Sequence, residues 1–140
     1  MGFVCSSHNH KPQNSKINLI KLHIMIAENF INIVRQLDLS IDIPDDLRYN
    51  LNQLIILSCK LKHCIVRLNK RYSDYHFSQL KNELKSVIQY LYIILQDDQL
   101  ELYFPIIYTF LIESWDIHKQ NLKQQVLQRE NDNIKLNLQI

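Results

Sequence analysis

Residues 47–72 read LRYNLNQLIILSCKLKHCIVRLNKRY, and the spacing of their apolar side chains decides the fold. From Leu47 to Tyr72, apolar or small residues recur in alternating steps of four and three positions. The members of this seam are Leu47, Leu51, Leu54, Ser58, Leu61, Ile65, Leu68 and Tyr72. Because about 3.6 residues make one helical turn, these steps place every member on the same side of an α-helix. The stretch therefore predicts a helix that packs along one face.

The residues on either side of this stretch predict where its helix begins and which helix follows. Pro44 and the two acids after it suit the first turn of a helix, where proline is tolerated and negative charge meets the positive end of the helix dipole. Ser73 and Asp74 then provide a cap for the next helix, the third of the chain, which we expect to end near Gln96. Its seam repeats the same spacing at Phe77, Leu80, Leu84, Val87, Leu91 and Ile94.

Two further segments complete a predicted all-α fold. Residues 16–38, with Ser15 as the N-cap, are apolar over most of the helix circumference, which is typical of a central helix in a bundle. Asp97 and Asp98 start a fourth segment, which Pro105 should start or kink and which extends past the bundle to about residue 130. Short connections favour antiparallel neighbours, so we predict an up-down four-helix bundle with an extended C-terminal helix.

We expect one folded domain with a short segment on each side. Residues 1–15 are a flexible leader that carries a lipidation motif, residues 16–130 form the bundle, and residues 131–140 form a C-terminal tail. The end of the tail alternates strictly between apolar and polar residues. That period of two is compatible with a frayed terminus or with an edge strand added to a partner.

Glycine is nearly absent from the chain of 140 residues, since the only one is Gly2. Average usage would give roughly ten. A Walker A loop, a GxGxxG dinucleotide turn and a GxSxG nucleophile elbow each need glycine for positive φ angles or close backbone approach. These enzyme classes are therefore excluded, and we expect a non-enzymatic protein without a cofactor.

The sequence predicts no metal site. Cys5, His8 and His10 lie close together in the leader but have no distant partner set, so they are only weak evidence for a zinc site. Cys59 and Cys64 are five positions apart, which does not stack them on one helix face. We expect both to be small buried hydrophobes, and the odd number of cysteines favours a reducing compartment.

No catalytic group is predicted either. Asp74 and His76, like Asp116 and His118, are two positions apart and so point to different faces of a helix. We expect caps or surface pairs at these positions. The aromatic side chains of the fourth segment, with Trp115 among them, are expected in the core rather than around a ligand.

The first residues carry the pattern of an N-myristoylation acceptor. Gly2 follows Met1, and Ser6 stands at the preferred downstream position. Cys5 is close enough to receive a second, palmitoyl chain, and the set resembles the dual-acylation leaders of membrane-anchored proteins. Phe3 departs from the usual acceptor pattern, so an unmodified N-terminus is the alternative.

A basic stripe on the second helix, residues 47–72, also favours membrane association. Its members lie opposite the Leu/Ile seam at Lys60, His63, Arg67 and Lys70, with Lys62 and Arg71 flanking them. No acidic residue occurs between Leu47 and Tyr72. Next to an anionic leaflet, each such cation contributes about 1 kcal/mol. The alternative is an ordinary solvated face. Nucleic acid is disfavoured, because the formal charge is only +2 and no recognition motif is present.

The fourth segment has the opposite charge. Its acids are Asp97, Asp98, Glu101, Glu113 and Asp116. No basic residue follows them before His118. We expect this acidic region either to face away from the membrane or to pair with the basic stripe of another copy, which would give a homo-oligomer.

We therefore predict a membrane-associated adaptor or structural protein on the cytoplasmic face of a membrane. The longest apolar run, Leu102 to Ile112, is shorter than the roughly 18 residues that span a bilayer, and no signal peptide precedes the bundle. This layout is similar to that of retroviral matrix domains, which join a myristate to a basic helical face. The alternative is a cytoplasmic helical interaction module without lipid, such as a host-interaction or assembly subunit, whose protein partner the sequence does not identify.

Overall fold

The structure is a computed structural model that describes residues 14–138. Within this range the chain forms five α-helices and no β-strand. They are α1 (Asn14–Val34), α2 (Asp45–Lys70), α3 (Asp74–Ile94), α4 (Asp98–Tyr103) and α5 (Pro105–Leu138). The predicted all-α fold is confirmed, while the up-down arrangement stays a prediction.

The four long helices surround one core. α2 packs against α1 and α3, and α5 packs against the same two helices. α1 and α3 also touch, whereas α2 and α5 make no substantial contact. The helices α2 and α5 therefore lie diagonally across the helical assembly, and their outer sides belong to different surfaces of the molecule. The short α4 packs on α5.

The predicted seams form the centre of this core. The seven seam positions of α2 from Leu47 to Leu68 are buried, and so are the six of α3 from Phe77 to Ile94. Tyr72 is half-buried and lies beyond the end of α2 at Lys70. Burial of one large aliphatic side chain stabilises the fold by about 1.5–3 kcal/mol, so these two seams account for much of its hydrophobic stabilisation.

The caps of the helices follow the sequence with one exception. The Ser73 hydroxyl accepts a hydrogen bond from the backbone N–H of His76 at 3.0 Å, as predicted for the start of α3. Pro44 directly precedes α2. The prediction for Ser15 is wrong, because α1 begins at Asn14 and Ser15 already lies in its first turn. α1 also ends at Val34 instead of residue 38, and a tight turn follows in which Gln36 N–H donates to the carbonyl of Ile33.

Pro105 divides the predicted fourth segment into two helices. α4 ends at Tyr103, Phe104 leaves the helical region with φ −136° and ψ 65°, and α5 begins at Pro105. A residue before proline avoids the helical conformation because the proline ring collides with its backbone. Of the two expected outcomes, a start or a kink, the structure has the start.

The C-terminal half of α5 corrects the predicted tail. The helix continues to Leu138, so residues 131–138 are helical and do not form an edge strand. No glycine or proline occurs after Pro105, and nothing in the sequence therefore interrupts a helix that has already begun. The period of two was too short a pattern to outweigh this continuity. The predicted leader lies mostly in residues 1–13, outside the described range.

The aromatic side chains at the start of α5 are only partly in the core. Phe104 is buried, and Tyr108 and Trp115 are half-buried. Tyr103 and Phe110 are exposed, at 39% and 37% of their surface, so the prediction of a core position is wrong for these two. Apolar residues occur all around this part of the chain, but α1 and α3 cover only one side of α5.

Candidate functional site

The outer side of α2 carries four cationic or histidine side chains, which we call the basic face. They are Lys60, His63, Arg67 and Lys70. All four are exposed and lie on the side of α2 away from its buried seam. Their spacing of three and four residues keeps them within one stripe of a helix that is 26 residues long.

No carboxylate neutralises the basic face within the described residues. Their two salt bridges join Lys16 to Asp74 at 2.7 Å and Lys119 to Asp116 at 3.6 Å. Arg67 donates a hydrogen bond from Nη1 to the neutral amide oxygen Oε1 of Gln79 on α3, at 3.4 Å. The positive charges of the face are therefore directed to solvent.

The two flanking cations occupy different places. Lys62 is exposed but lies about 160° around the helix from Lys60, where it lines a groove between α1 and α2 together with Glu28 and Arg35. Arg71 is exposed just beyond the end of α2, and its backbone N–H donates to the carbonyl of Arg67 at 3.0 Å. The structure thus brings Arg71 next to the basic face and separates Lys62 from it.

Acidic side chains occupy α4 and the outer side of α5. Asp98, Glu101, Glu113 and Asp116 are all exposed, and the carboxylate of Asp97 accepts the N–H of Gln99 at the start of α4. Since α5 lies diagonally across from α2, acidic and basic side chains are on different sides of the protein. The predicted charge separation along the sequence becomes a separation in space.

α1 is long and apolar enough to cross a bilayer by its length and composition alone. The stretch Ser15–Val34 has 20 residues and a mean hydropathy of 1.3. In the structure this helix packs against α2, α3 and α5 and supplies Ile26, Ala27 and Phe30 to the core. That central position accounts for its apolar composition without a membrane.

Two buried histidines were missed by the sequence analysis. His23 of α1 and His118 of α5 are each only 2% exposed, and desolvation lowers the pKa of both, that of His118 to about 4. Nδ1 of His23 lies 2.8 Å from the carbonyl oxygen of Leu19, and the edge of Phe77 meets the His23 ring. His23 lies three residues after Ile20, a helical spacing that could have revealed its inward position.

A small cavity lies beside these histidines. Its lining includes His23 and His118, together with Lys81 and Lys85 of α3 and Asn121 of α5. It has room for about one water molecule. Nε2 of His118 is buried and has no hydrogen-bond partner among the described residues. A bound water is the simplest group that would satisfy it.

The structure does not assemble the acid and histidine pairs into catalytic dyads. Asp74 binds Lys16, which lowers the pKa of the Asp74 carboxyl through its hydrogen bond, whereas Nδ1 of His76 lies 3.4 Å from the Arg71 carbonyl oxygen. Asp116 is exposed and His118 is buried, so they lie on different sides of α5 as predicted, but the expectation of a cap or surface position is wrong for His118.

The cysteine prediction is half correct. Cys64 is buried, and burial raises the pKa of its thiol, but Cys59 is exposed on the outer side of α2. Among the described residues, no group of three or more His, Cys, Asp or Glu side chains is arranged to hold a metal ion. The candidate ligands Cys5, His8 and His10 lie outside those residues, as do the predicted lipid acceptors Gly2 and Cys5.

Comparison with known proteins finds no family model, curated protein or solved structure that matches this chain. Function is therefore inferred from the exposed charges, the exposed apolar side chains and the N-terminal sequence.

Proposed function

We propose that this protein is a non-enzymatic adaptor that binds the anionic cytoplasmic leaflet of a membrane peripherally. The observation that carries the proposal is the basic face of α2, whose cations are exposed and make no salt bridge within the described residues. No acid follows Asp46 in that helix. N-terminal acylation at Gly2, with Cys5 as a second acceptor, supplies the hydrophobic part of the anchor.

Each part of the anchor alone gives only reversible binding. A single myristoyl chain binds a bilayer with an association constant of order 10⁴ M⁻¹, which is reversible. Each lysine or arginine near a leaflet rich in anionic lipid contributes about 1 kcal/mol. Lys60, Arg67, Lys70 and Arg71 together would add about 4 kcal/mol, roughly a thousandfold in affinity. The combination gives stable attachment.

Vesicle flotation of the unacylated chain tests the basic face by itself. We expect the wild-type chain to float with vesicles of phosphatidylcholine and phosphatidylserine and to remain unbound with phosphatidylcholine alone. The variant Lys60→Ala/Arg67→Ala/Lys70→Ala should bind the anionic vesicles about a hundredfold more weakly, since three contributions of about 1 kcal/mol are lost.

The matched control removes equal formal charge elsewhere. Lys21, Arg35 and Lys123 are exposed and lie outside the basic face, so the variant Lys21→Ala/Arg35→Ala/Lys123→Ala has the same net charge as the test variant. It should retain most of the binding. Equal loss in both variants would mean that net charge, and not the α2 face, determines binding and would overturn the assignment.

Intact mass of the full chain expressed in eukaryotic cells tests the lipid part. We expect the mass of a myristoyl group, lost in Gly2→Ala, and a second thioester-linked chain, lost in Cys5→Ser. A mass that shows both Gly2 and Cys5 unmodified would contradict the proposed acyl anchor.

The second candidate function is a helical protein-interaction module without lipid, such as a host-interaction or assembly subunit. It is favoured by exposed apolar side chains on α4 and α5, among them Leu102 at 76% and Ile106 at 68%. Large exposed apolar side chains that lie close together are a common feature of interaction surfaces. An unmodified N-terminus together with no vesicle binding would select this function over the membrane adaptor.

A further inference from the structure

We propose that α4 and the first half of α5 form a docking surface for a basic amphipathic helix of a partner protein. This inference rests on the proposed adaptor function, for which it names the kind of protein that the adaptor would recruit. The surface, which we call the docking face, has an apolar stripe and acidic neighbours. Its apolar members are Leu102, Ile106, Phe110 and Ile117.

The apolar stripe has the spacing of a helix-binding seam. Ile106, Phe110 and Ile117 follow one another at four and seven residues, which places them on one side of α5, with Glu113 between the last two. Leu102 belongs to α4, which is separated from α5 by the break at Phe104 and packs against it. Their exposed fractions are 76% for Leu102, 68% for Ile106, 37% for Phe110 and 45% for Ile117. An amphipathic helix presents apolar anchors at the matching intervals of three and four residues.

The fold leaves part of this stripe uncovered. The inward side of the same helix already supplies Ile107 and Leu111 to the core, and both are buried. α1 and α3 contact α5 on that inward side. Leu102 and Ile106 therefore leave most of their surface in water, which favours their burial by another molecule, whereas Phe110 and Ile117 are partly covered within the fold.

The charges around the stripe specify a basic partner. Glu101, Glu113 and Asp116 are exposed beside it, and Asp116 alone has a partner among the described residues, Lys119. No lysine, arginine or histidine occurs between Lys85 and His118. Acids interleaved with apolar anchors attract a helix with cationic flanks and repel an acidic one, so the surface discriminates by charge.

The position of the docking face leaves the basic face free. α2 and α5 lie diagonally in the fold, so a helix on α5 does not cover Lys60, Arg67 or Lys70. The α2 helix of a second copy is also basic, but in the adaptor its outer side faces lipid. We therefore assign the docking face to a partner protein rather than to self-association.

A synthetic helix tests the assignment with the full, unacylated chain. The probe is a labelled peptide with leucines at intervals of three and four residues and lysines at the other positions. Two control peptides carry glutamate in place of lysine, or the same residues in an order that breaks the leucine spacing. We expect saturable binding of the lysine peptide, measured by fluorescence anisotropy, that weakens as salt is added.

Two variants of the docking face separate its apolar and acidic parts. Two double variants, Ile106→Ser/Phe110→Ser and Glu101→Lys/Glu113→Lys, should each bind the lysine peptide at least about tenfold more weakly than the wild type. The first loses apolar anchors and the second loses complementary charges. Matched controls at exposed sites elsewhere are Met25→Ser/Tyr75→Ser and Glu28→Lys/Asp42→Lys, which should bind within about twofold of wild type. Circular dichroism melting checks that every variant is folded.

Three results would overturn the proposal: equal binding of the glutamate peptide, equal binding of the peptide without leucine spacing, or unchanged binding by both docking-face variants. Self-association of the free chain that disappears in Ile106→Ser/Phe110→Ser, seen by sedimentation velocity, would instead assign the face to a second copy. Vesicle flotation of the same variants separates this outcome from failure of the membrane proposal, because flotation depends on α2 and peptide binding on α4 and α5.

Discussion

The outer sides of α2 and α5 differ although both helices bury an apolar face in the same core. Outside its seam, α2 exposes mainly lysines, arginines and amides, together with the apolar side chains of Tyr49, Ile56 and Val66. α5 exposes Ile106, Phe110 and Ile117 in addition to burying Ile107 and Leu111. Both helices therefore leave apolar side chains uncovered, but the charged residues from Asp97 to Ile117 are all acidic, whereas those from Leu47 to Tyr72 are all basic. The sign of the surrounding charge, and not the amount of exposed apolar surface, separates the two helices.

The largest difference between the two helices should appear when apolar side chains are truncated. Leu61→Ala removes a fully buried side chain of α2 and should lower the free energy of unfolding by about 2–5 kcal/mol, through lost burial and the cavity it leaves. Phe110→Ala on α5, where the side chain is 37% exposed, should lower it by less, about 1–2 kcal/mol, in proportion to the part that is covered. Urea unfolding measures both. A large loss for Phe110→Ala would show that the stripe belongs to the core after all.

The stability of the protein should depend on pH through the buried histidine of α5, whereas α2 buries no histidine. Burial lowers the pKa of His118 to about 4, below its ordinary value of 6.5, so the stability it allows is complete above pH 6.5 and is lost as the pH falls towards 4. The loss should reach roughly 3 kcal/mol, with His23 acting in the same direction.

Thermal or urea unfolding at pH 7 and pH 4.5 measures this effect. The variant His118→Leu should flatten the dependence. A steep dependence that persists in His118→Leu, and also in the double variant with His23→Leu, would assign the acid sensitivity to other groups.

The starts of the two helices offer a smaller comparison. α2 is preceded by Pro44 and α5 begins at Pro105, and both prolines restrict the unfolded chain. Pro44→Ala and Pro105→Ala should each lower the free energy of unfolding by about 0.4–1 kcal/mol. Only Pro105→Ala should also raise the helix content, because α4 and α5 could then join through Phe104. Far-ultraviolet circular dichroism distinguishes the two, and an equal gain in both variants would contradict the role given to Pro105.

The smallest expected effect is that of the docking face on membrane binding. Glu101→Lys/Glu113→Lys changes α4 and α5, neither of which makes a substantial contact with α2. Salt screens exposed charges over a Debye length of about 8–10 Å, which weakens the effect of these substitutions on the basic face. Flotation with anionic vesicles should therefore change by no more than about twofold. An increase as large as the loss caused by Lys60→Ala/Arg67→Ala/Lys70→Ala would mean that both sides approach the leaflet.

Much of the architecture could be predicted because it depends on local patterns. The seams of α2 and α3, the Ser73 cap and the break at Pro105 all follow from side-chain spacing and backbone sterics within a few residues. The end of α1 at Val34 could not be predicted in this way, because apolar residues continue to Leu37 and Leu39 and pack on the core from a turn.

The candidate site residues show the same difference between what local patterns predict and what only neighbouring helices determine. The exposure of Lys60, Arg67 and Lys70 followed from their positions opposite a strict seam. Lys62 could not be placed without the neighbouring α1, which forms the groove that it lines. The inward positions of His23 and His118 were missed because histidine is compatible with both surface and core, and only its neighbours decide between them.

The sequence by itself determined the helices and, in α2 and α3, the side of each that is buried. It could do so because polar and apolar residues there alternate with the period of the helix. Where apolar residues surround the helix, as from Leu102 to Ile117, periodicity does not distinguish inside from outside. Only the packing of α5 against α1 and α3 decided that His118 is buried and that Ile106 and Phe110 face solvent, because burial depends on which neighbours cover a side chain.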